Sequence, residues 1–277
     1  MDDNTLTVWK CPLSKALRAT TAFTILAALL LLGACSTGAS ANPQAKSDAA
    51  ITVGAAADLQ LAFAEIGELF ERETGNKVVF TFGSTGILAQ QIENGAPIDV
   101  FAAANVRYVD QLKAKNLIIE NSERLYAIGR IVLAVNKRVG IDVRRLEDLD
   151  RPEIKRIAIA NPAHAPYGIA AKEALISAGL WDRVSSKLVI AENISQAMQF
   201  VKTGNTEVGI IALSVAQAPE ISYTLIPEDS HSRIAQSMAV IKGTRNEKVS
   251  KEFAGFVGEP RALEILRKYG FTIPEEK

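Results

Sequence analysis

The sequence predicts an α/β fold of two lobes joined by two crossing segments. From residue 51 onward, short β-branched runs alternate with amphipathic helical patterns, which is typical of parallel sheets covered by helices. Near residues 129 and 232 this alternation is interrupted, and between these positions a second set of strands and helices appears. We therefore expect lobe 1 to comprise residues 50–128 and 233–277, and lobe 2 to comprise residues 129–232.

The first 34 residues have the pattern of a secretory signal peptide. Basic residues precede an apolar run over residues 20–32. This run is too short to span a bilayer, which takes about 20 residues. It leads into LGAC, whose Cys35 resembles the lipid-carrying cysteine of a bacterial lipobox. Cleavage after Ala39-Ser40-Ala41 is the alternative, and both alternatives predict an exported protein.

Residues 35–49 are small and polar, so we expect a flexible tether between the membrane anchor and the folded domain. The two cysteines, Cys11 and Cys35, both precede this domain, and no disulfide is expected in the mature chain. The sequence has 31 basic and 31 acidic residues, so its formal net charge is zero. Binding to nucleic acid or to an acidic membrane surface through bulk charge is therefore not expected.

Lobe 1 is predicted to contain three strand–helix pairs and a returning C-terminal segment. The pairs are strand 51–53 with helix 59–72, strand 78–82 with helix 85–94, and strand 99–102 with helix 106–114. The returning segment consists of strand 237–241 and helices 248–257 and 260–269. The alternation predicts that the sheet is parallel.

Lobe 2 is predicted to begin with a long strand over residues 130–136. The remaining elements are strand 156–160, helix 169–178, strand 187–190, helix 195–203 and strand 208–212. Strands of both lobes direct their carboxyl ends, and helices their N-termini, toward the cleft between the lobes. The cleft is therefore the expected ligand site.

Four strand-to-helix junctions consist largely of small or hydroxyl residues. They are Ala56-Ala57-Asp58, Gly83-Ser84-Thr85-Gly86, Ala165-Pro166-Tyr167-Gly168 and Glu192-Asn193-Ile194-Ser195. Each leaves first-turn N–H groups unpaired at the positive end of a helix dipole. If the four junctions converge, they form an uncharged cage of donors for an anion. The alternative is that the hydroxyls and the aspartate only cap their helices.

Five blocks of sequence are similar to the periplasmic molybdate-binding protein family, the receptors of molybdate ABC importers. They are "AAADL", "FGSTGILAQQIENGAPIDVFAAA", "ANPAHAPYGIAAKEAL", "AENISQAMQFVKTGNTEVGIIALS" and "PRALEILRKYGFTI". The blocks occur in the family's order and cover nearly all of residues 51–273. The resemblance implies the two-lobed periplasmic binding protein fold (type II) with two crossover segments.

The resemblance also implies a set of ligand-binding residues for a tetrahedral oxyanion. Asp58 takes the place of the family's first hydroxyl donor, and Thr85 takes that of the second, with Ser84 beside it. Tyr167 and Ile194 fall where backbone N–H groups donate. Some members add a tyrosine hydroxyl at a position where this chain has alanine, so two side-chain donors of the family pattern are absent.

Asp58 raises a question, because a carboxylate repels an anion. Two unit charges about 4 Å apart repel by about 4 kcal/mol at an effective dielectric constant near 20, and a dianion about doubles this. One hypothesis is that Asp58 turns away and caps its own helix at the N–H of Gln60 or Leu61. The other is that Asp58 accepts a proton from the ligand, which would select a protonated oxyanion such as phosphate.

The resemblance predicts a monomeric receptor in the periplasm or on the cell surface, attached to the membrane only through a lipid on Cys35. It would bind molybdate or tungstate, without a cofactor, and deliver this oxyanion to a molybdate ABC permease and ATPase complex. A hydrolase built on Ser84 and His164, with Asp58 or Asp99 orienting the histidine, is the alternative of a different class. No nucleophile-elbow motif supports it, and no acidic residues have the spacing of a cation site.

Overall fold

The computed structural model describes residues 50–274. The predicted signal peptide (1–34), the lipid attachment at Cys35 and the predicted tether (35–49) lie outside the described residues. Within the described range, none of the helices combines the length and the apolar character needed to cross a bilayer.

The first of two five-stranded sheets contains strands from both ends of the described chain. Its strands are β1 (Ala50–Ala56), β2 (Lys77–Gly83), β3 (Val100–Ala103), β4 (Arg124–Gly129) and β10 (Ile234–Val240). The spatial order is β2-β1-β3-β10-β4. β1 pairs in parallel with β2 and β3, whereas β10 runs antiparallel to both β3 and β4.

The second sheet is formed by the central part of the chain. Its strands are β5 (Ile131–Asn136), β6 (Ile157–Ala160), β7 (Leu188–Ala191), β8 (Val208–Ala212) and β9 (Ile221–Leu225). The spatial order is β7-β6-β8-β5-β9. β6 pairs in parallel with β7 and β8, and β5 runs antiparallel to β8 and β9.

Eight α-helices pack on these sheets in the described part of the chain. They are α1 (Gln60–Thr74), α2 (Thr85–Glu93), α3 (Val106–Ala114), α4 (Pro166–Ser177), α5 (Trp181–Val184), α6 (Ile194–Lys202), α7 (Glu247–Phe256) and α8 (Pro260–Lys268). The apolar face of α1 buries Phe63 and Phe70, whose rings meet Phe253 of α7 edge-on at 6.1 and 5.3 Å. This aromatic contact attaches the C-terminal helices to the first sheet.

The predicted two-lobed α/β architecture with two crossings is confirmed. The chain passes from the first sheet to the second between β4 and β5 and returns between β9 and β10. The predicted parallel pairing is confirmed for β1, β2 and β3. The two strands that follow a crossing, β5 and β10, instead run antiparallel to their neighbours. The prediction also missed the edge strands β4 and β9 and the short helix α5. Large apolar side chains such as Leu125 and Tyr223 are exposed on these edge strands. The sequence there therefore does not alternate between buried apolar and exposed polar residues, which is the pattern that predicts a strand.

Candidate functional site

A small cavity lies between the two lobes, where strands of both sheets lead into helices. All five predicted site residues line it: Asp58, Ser84, Thr85, Tyr167 and Ile194. None of these residues is more than 3% exposed. The cavity has a volume of about 10 Å³, and the residues that line it include no lysine or arginine. The four junctions therefore meet at one narrow position between the lobes that neither lysine nor arginine lines.

The hydroxyl oxygen of Thr85 already accepts a hydrogen bond. Its Oγ1 accepts a hydrogen bond from the backbone N–H of Ala104 at 3.2 Å. Thr85 is the first residue of α2, so the positive end of this helix lies at the same place. Because the backbone donor occupies the oxygen, the hydroxyl proton remains available to an acceptor in the cavity.

The backbone N–H groups of Tyr167 and Ile194 lie in the first turns of α4 and α6. A first-turn N–H has no carbonyl partner within its own helix. Asn193 caps α6 by accepting from the N–H of Gln196 at 3.0 Å, and Pro166 occupies the first position of α4, where its fixed φ suits the helix. Both helices thus begin at the cavity with donors that suit an anion.

Ser84 lines the cavity, but its hydroxyl makes a contact across the cleft. The Oγ of Ser84 lies 2.8 Å from Nδ1 of His164 and donates to the carbonyl oxygen of His164, also at 2.8 Å. The N–H of Gly86 donates to the same carbonyl at 3.0 Å. Since Ser84 and Gly86 belong to the first lobe and His164 to the second, these bonds hold the lobes together.

The Ser84–His164 pair lacks the carboxylate that a hydrolytic triad requires. The carboxylate of Asp99 accepts from the N–H of Thr52 at 2.7 Å and from the hydroxyl of Thr244. The carboxylate of Asp58 has other partners, described next. Neither aspartate therefore orients the imidazole of His164.

The Asp58 side chain points into a buried network of three groups. Its Oδ2 accepts from the hydroxyl of Tyr167 at 2.9 Å and from Nε2 of Gln236 at 2.5 Å. Its Oδ1 is buried and has no partner among the described residues. The hypothesis that Asp58 caps its own helix is wrong, since the carboxylate makes no cap hydrogen bond. The Tyr167 hydroxyl and the Gln236 amide occupy Oδ2 instead.

Burial dominates the electrostatics of this network. It raises the pKa of Asp58 from 3.8 to about 6, although the hydrogen bonds from Gln236 and Tyr167 act in the opposite direction. Burial, together with the nearby Asp58 charge, also raises the pKa of Tyr167 and of Tyr126 well above the ordinary value. The hydroxyl of Tyr126 donates to Oε1 of Gln236 at 3.1 Å, which fixes the orientation of the amide.

Two more hydroxyl groups of the second lobe bond to the first lobe beside the cavity. The Oγ of Ser195 donates to the carbonyl of Ala57, and the Oγ of Ser214 donates to the carbonyl of Asp58, both at 2.8 Å. Both hydrogen bonds join residues of opposite lobes. The structure is therefore that of closed lobes.

Sequence reasoning missed Gln236, Tyr126 and Ser214. Gln236 is completely buried in the mostly apolar strand β10, where Ser237 is the other buried polar residue. A long amide in such a strand was the available signal. Among the described residues, no three His, Cys, Asp or Glu side chains lie close enough to hold a metal ion.

Comparison with known proteins gives concordant matches over most of the chain. Residues 51–272 match the family described as "Bacterial extracellular solute-binding protein". The chain is 35% identical to "Molybdate-binding protein ModA" of Escherichia coli (strain K12) over 251 residues, which cover 88% of this chain and 97% of that protein. It is 31% identical to "Putative ABC transporter substrate-binding lipoprotein YvgL" of Bacillus subtilis (strain 168), with coverage of 89% and 95%.

Among solved structures, the fold is similar to that of the periplasmic molybdate-binding protein of Azotobacter vinelandii. The TM-score is 0.77 and the identity is 28%, and the match covers 81% of this chain and 100% of that chain. This similarity extends over both lobes.

Proposed function

Because the chain belongs to the bacterial extracellular solute-binding proteins, and within them to the periplasmic molybdate-binding family, we propose that it captures molybdate or tungstate outside the cytoplasm. It is a binding protein rather than an enzyme. Its two lobes close over the oxyanion, which is then delivered to an ABC importer composed of a permease and an ATPase.

The observation that supports this proposal best is the composition of the cavity. Thr85 offers a hydroxyl proton, and α4 and α6 offer first-turn N–H groups, whereas no lysine or arginine lines the space. Such neutral donors stabilise a desolvated anion through oriented dipoles. A tetrahedral oxyanion can accept from donors that arrive from several directions at once.

The location and partners follow from the same family. Its members are extracellular solute-binding proteins, and the Bacillus subtilis relative is named as a lipoprotein. We propose that Cys35 carries a lipid and that the mature protein acts as a monomer at the membrane surface. No cofactor is needed, because the oxyanion is the cargo.

Titration calorimetry with molybdate, tungstate, sulfate and phosphate tests the function. We expect molybdate and tungstate to give heat. We expect Thr85→Val to weaken their binding by about 10- to 150-fold, since one hydrogen bond to a charged group contributes about 1.5–3 kcal/mol. The matched control is Thr203→Val, on an exposed helix end outside the cavity. Heat from phosphate alone would refute the proposal.

A receptor for a protonated oxyanion such as phosphate is the second candidate. The unpartnered Oδ1 of Asp58 favours it, because this atom could accept a proton that the ligand carries. The same calorimetric series separates the two candidates, since only the second expects phosphate to bind better than molybdate.

A further inference from the structure

The geometry points to a proton that accompanies the ligand: we propose that the site captures a dianion together with one solvent proton, held on Oδ1 of Asp58. This inference rests on the proposed function and names Asp58 as a residue that determines specificity. The proton forms a bond to Oδ1 and is donated as a hydrogen bond to an oxygen of the bound anion. No bond of the anion breaks.

The two oxygens of the Asp58 carboxyl group have different surroundings. Oδ2 accepts from two protein donors, the Tyr167 hydroxyl and the Gln236 amide. Oδ1 is buried and has no protein partner, and Asp58 lines the cavity. A buried polar atom without a partner is costly, so a ligand oxygen is the natural partner of Oδ1. Two oxygens can share a hydrogen bond only if a proton lies between them.

The groups that face Asp58 provide no positive charge for an ionised carboxylate. Tyr126 of β4 and Tyr167 of α4 are the titratable groups beside it. β10 presents the neutral amide of Gln236, and the segment after β8 presents the hydroxyl of Ser214. His164, the other titratable group near the cavity, bonds to Ser84 rather than to Asp58.

The sign of the pH dependence follows from these surroundings. In the closed lobes, burial already raises the pKa of Asp58 to about 6, and the repulsion of an adjacent dianion raises this pKa further. The bound protein therefore holds one more proton than the free protein between the free pKa of about 6 and the higher pKa of the bound state. By linkage, affinity for the dianion falls about tenfold for each pH unit within that window.

Calorimetry of the full chain measures this proton directly. Molybdate is titrated at pH 7.5 in buffers that differ in ionisation enthalpy, and the dependence of the heat on that enthalpy gives the number of protons taken up. We expect about one. A value of zero with clear molybdate binding overturns the inference and leaves the proposed function intact. If molybdate and tungstate both fail to bind, or if phosphate alone binds, both are overturned.

The variant Asp58→Asn tests whether Asp58 is the residue that binds the proton. It should show no proton uptake and an affinity that is flat between pH 7 and 9. Asp110→Asn, an exposed aspartate on α3, is the matched control and should keep the pH dependence of the unmodified protein. Proton uptake that persists in Asp58→Asn overturns the assignment. The buffer series on the unmodified protein remains decisive if this variant does not fold.

Discussion

Gly86 makes the closest backbone contact across the cleft, and its replacement by alanine tests whether closure is required for binding. A β-carbon at position 86 would lie 2.7 Å from the carbonyl oxygen of His164 and 2.9 Å from the β-carbon of His164. The N–H of Gly86 donates to that same carbonyl. Because the obstacle is backbone of the opposite lobe, the clash is relieved only if the lobes move apart.

We expect Gly86→Ala to weaken ligand binding without lowering the stability of the ligand-free protein. Overpacking by one methyl group costs about 1–3 kcal/mol, which corresponds to about 5- to 150-fold weaker binding of the oxyanion. The same substitution favours α2, since alanine is better than glycine within a helix by about 0.5–1 kcal/mol. The ligand-free protein should therefore melt at the same temperature as the unmodified protein or slightly higher.

Calorimetry with molybdate and thermal melts without ligand provide the two readouts. Gly255→Ala is the matched control, because this glycine also lies in a helix of the first lobe but a β-carbon there meets nothing within 4 Å. The control should gain stability and keep its affinity. If Gly86→Ala binds molybdate as tightly as the control does, the clash does not govern binding and the reasoning fails.

Three further predictions concern the network around the cavity. Ionisation of Asp58, whose pKa is raised from 3.8 to about 6, disfavours closed lobes by about 3 kcal/mol. Closure of the ligand-free protein is thus most stable below about pH 4 and is weakened as pH rises to about 6, which small-angle scattering should detect as an increase in radius of gyration. Gly129→Ala would place its β-carbon on the Tyr167 hydroxyl, so it should lower the melting temperature. Adding Tyr167→Phe should restore part of the loss, because the ring carbon that carries this hydroxyl would still lie 2.9 Å from the β-carbon. Ser214→Ala removes one hydrogen bond between the lobes and should weaken molybdate binding about 2- to 10-fold by calorimetry.

Local patterns in the sequence were sufficient to locate most of the helices and strands and the four junctions. The predicted bounds of helix 106–114 and strand 208–212 agree with α3 and β8 at every residue. Small and hydroxyl residues at strand ends indicated where the helices begin, because unpaired first-turn N–H groups require particular neighbours. The five predicted site residues consequently line one cavity.

The partners of Asp58 could not be predicted in this way. Tyr167 and Gln236 lie 109 and 178 residues away along the chain. The pairing of β10 within the first sheet brings Gln236 to Asp58, and the packing of the two lobes brings Tyr167 there. A local rule places an aspartate before a helix at the N-cap, and it fails here because distant donors compete for the carboxylate. The antiparallel direction of β10 also could not be predicted from local patterns, since it depends on where the chain returns from the second lobe.

The energies of closure explain how a receptor for anions can carry Asp58 at its site. Hydrogen bonds from Ser84, Gly86, Ser195 and Ser214 are among those that join the lobes around the cavity, and each contributes about 1 kcal/mol. Ionised Asp58 opposes closure by about 3 kcal/mol, which offsets a large part of this stabilisation in the empty protein. Any ligand that binds the closed form preferentially shifts this equilibrium toward closure. The oxyanion, with its proton, therefore decides whether the lobes close.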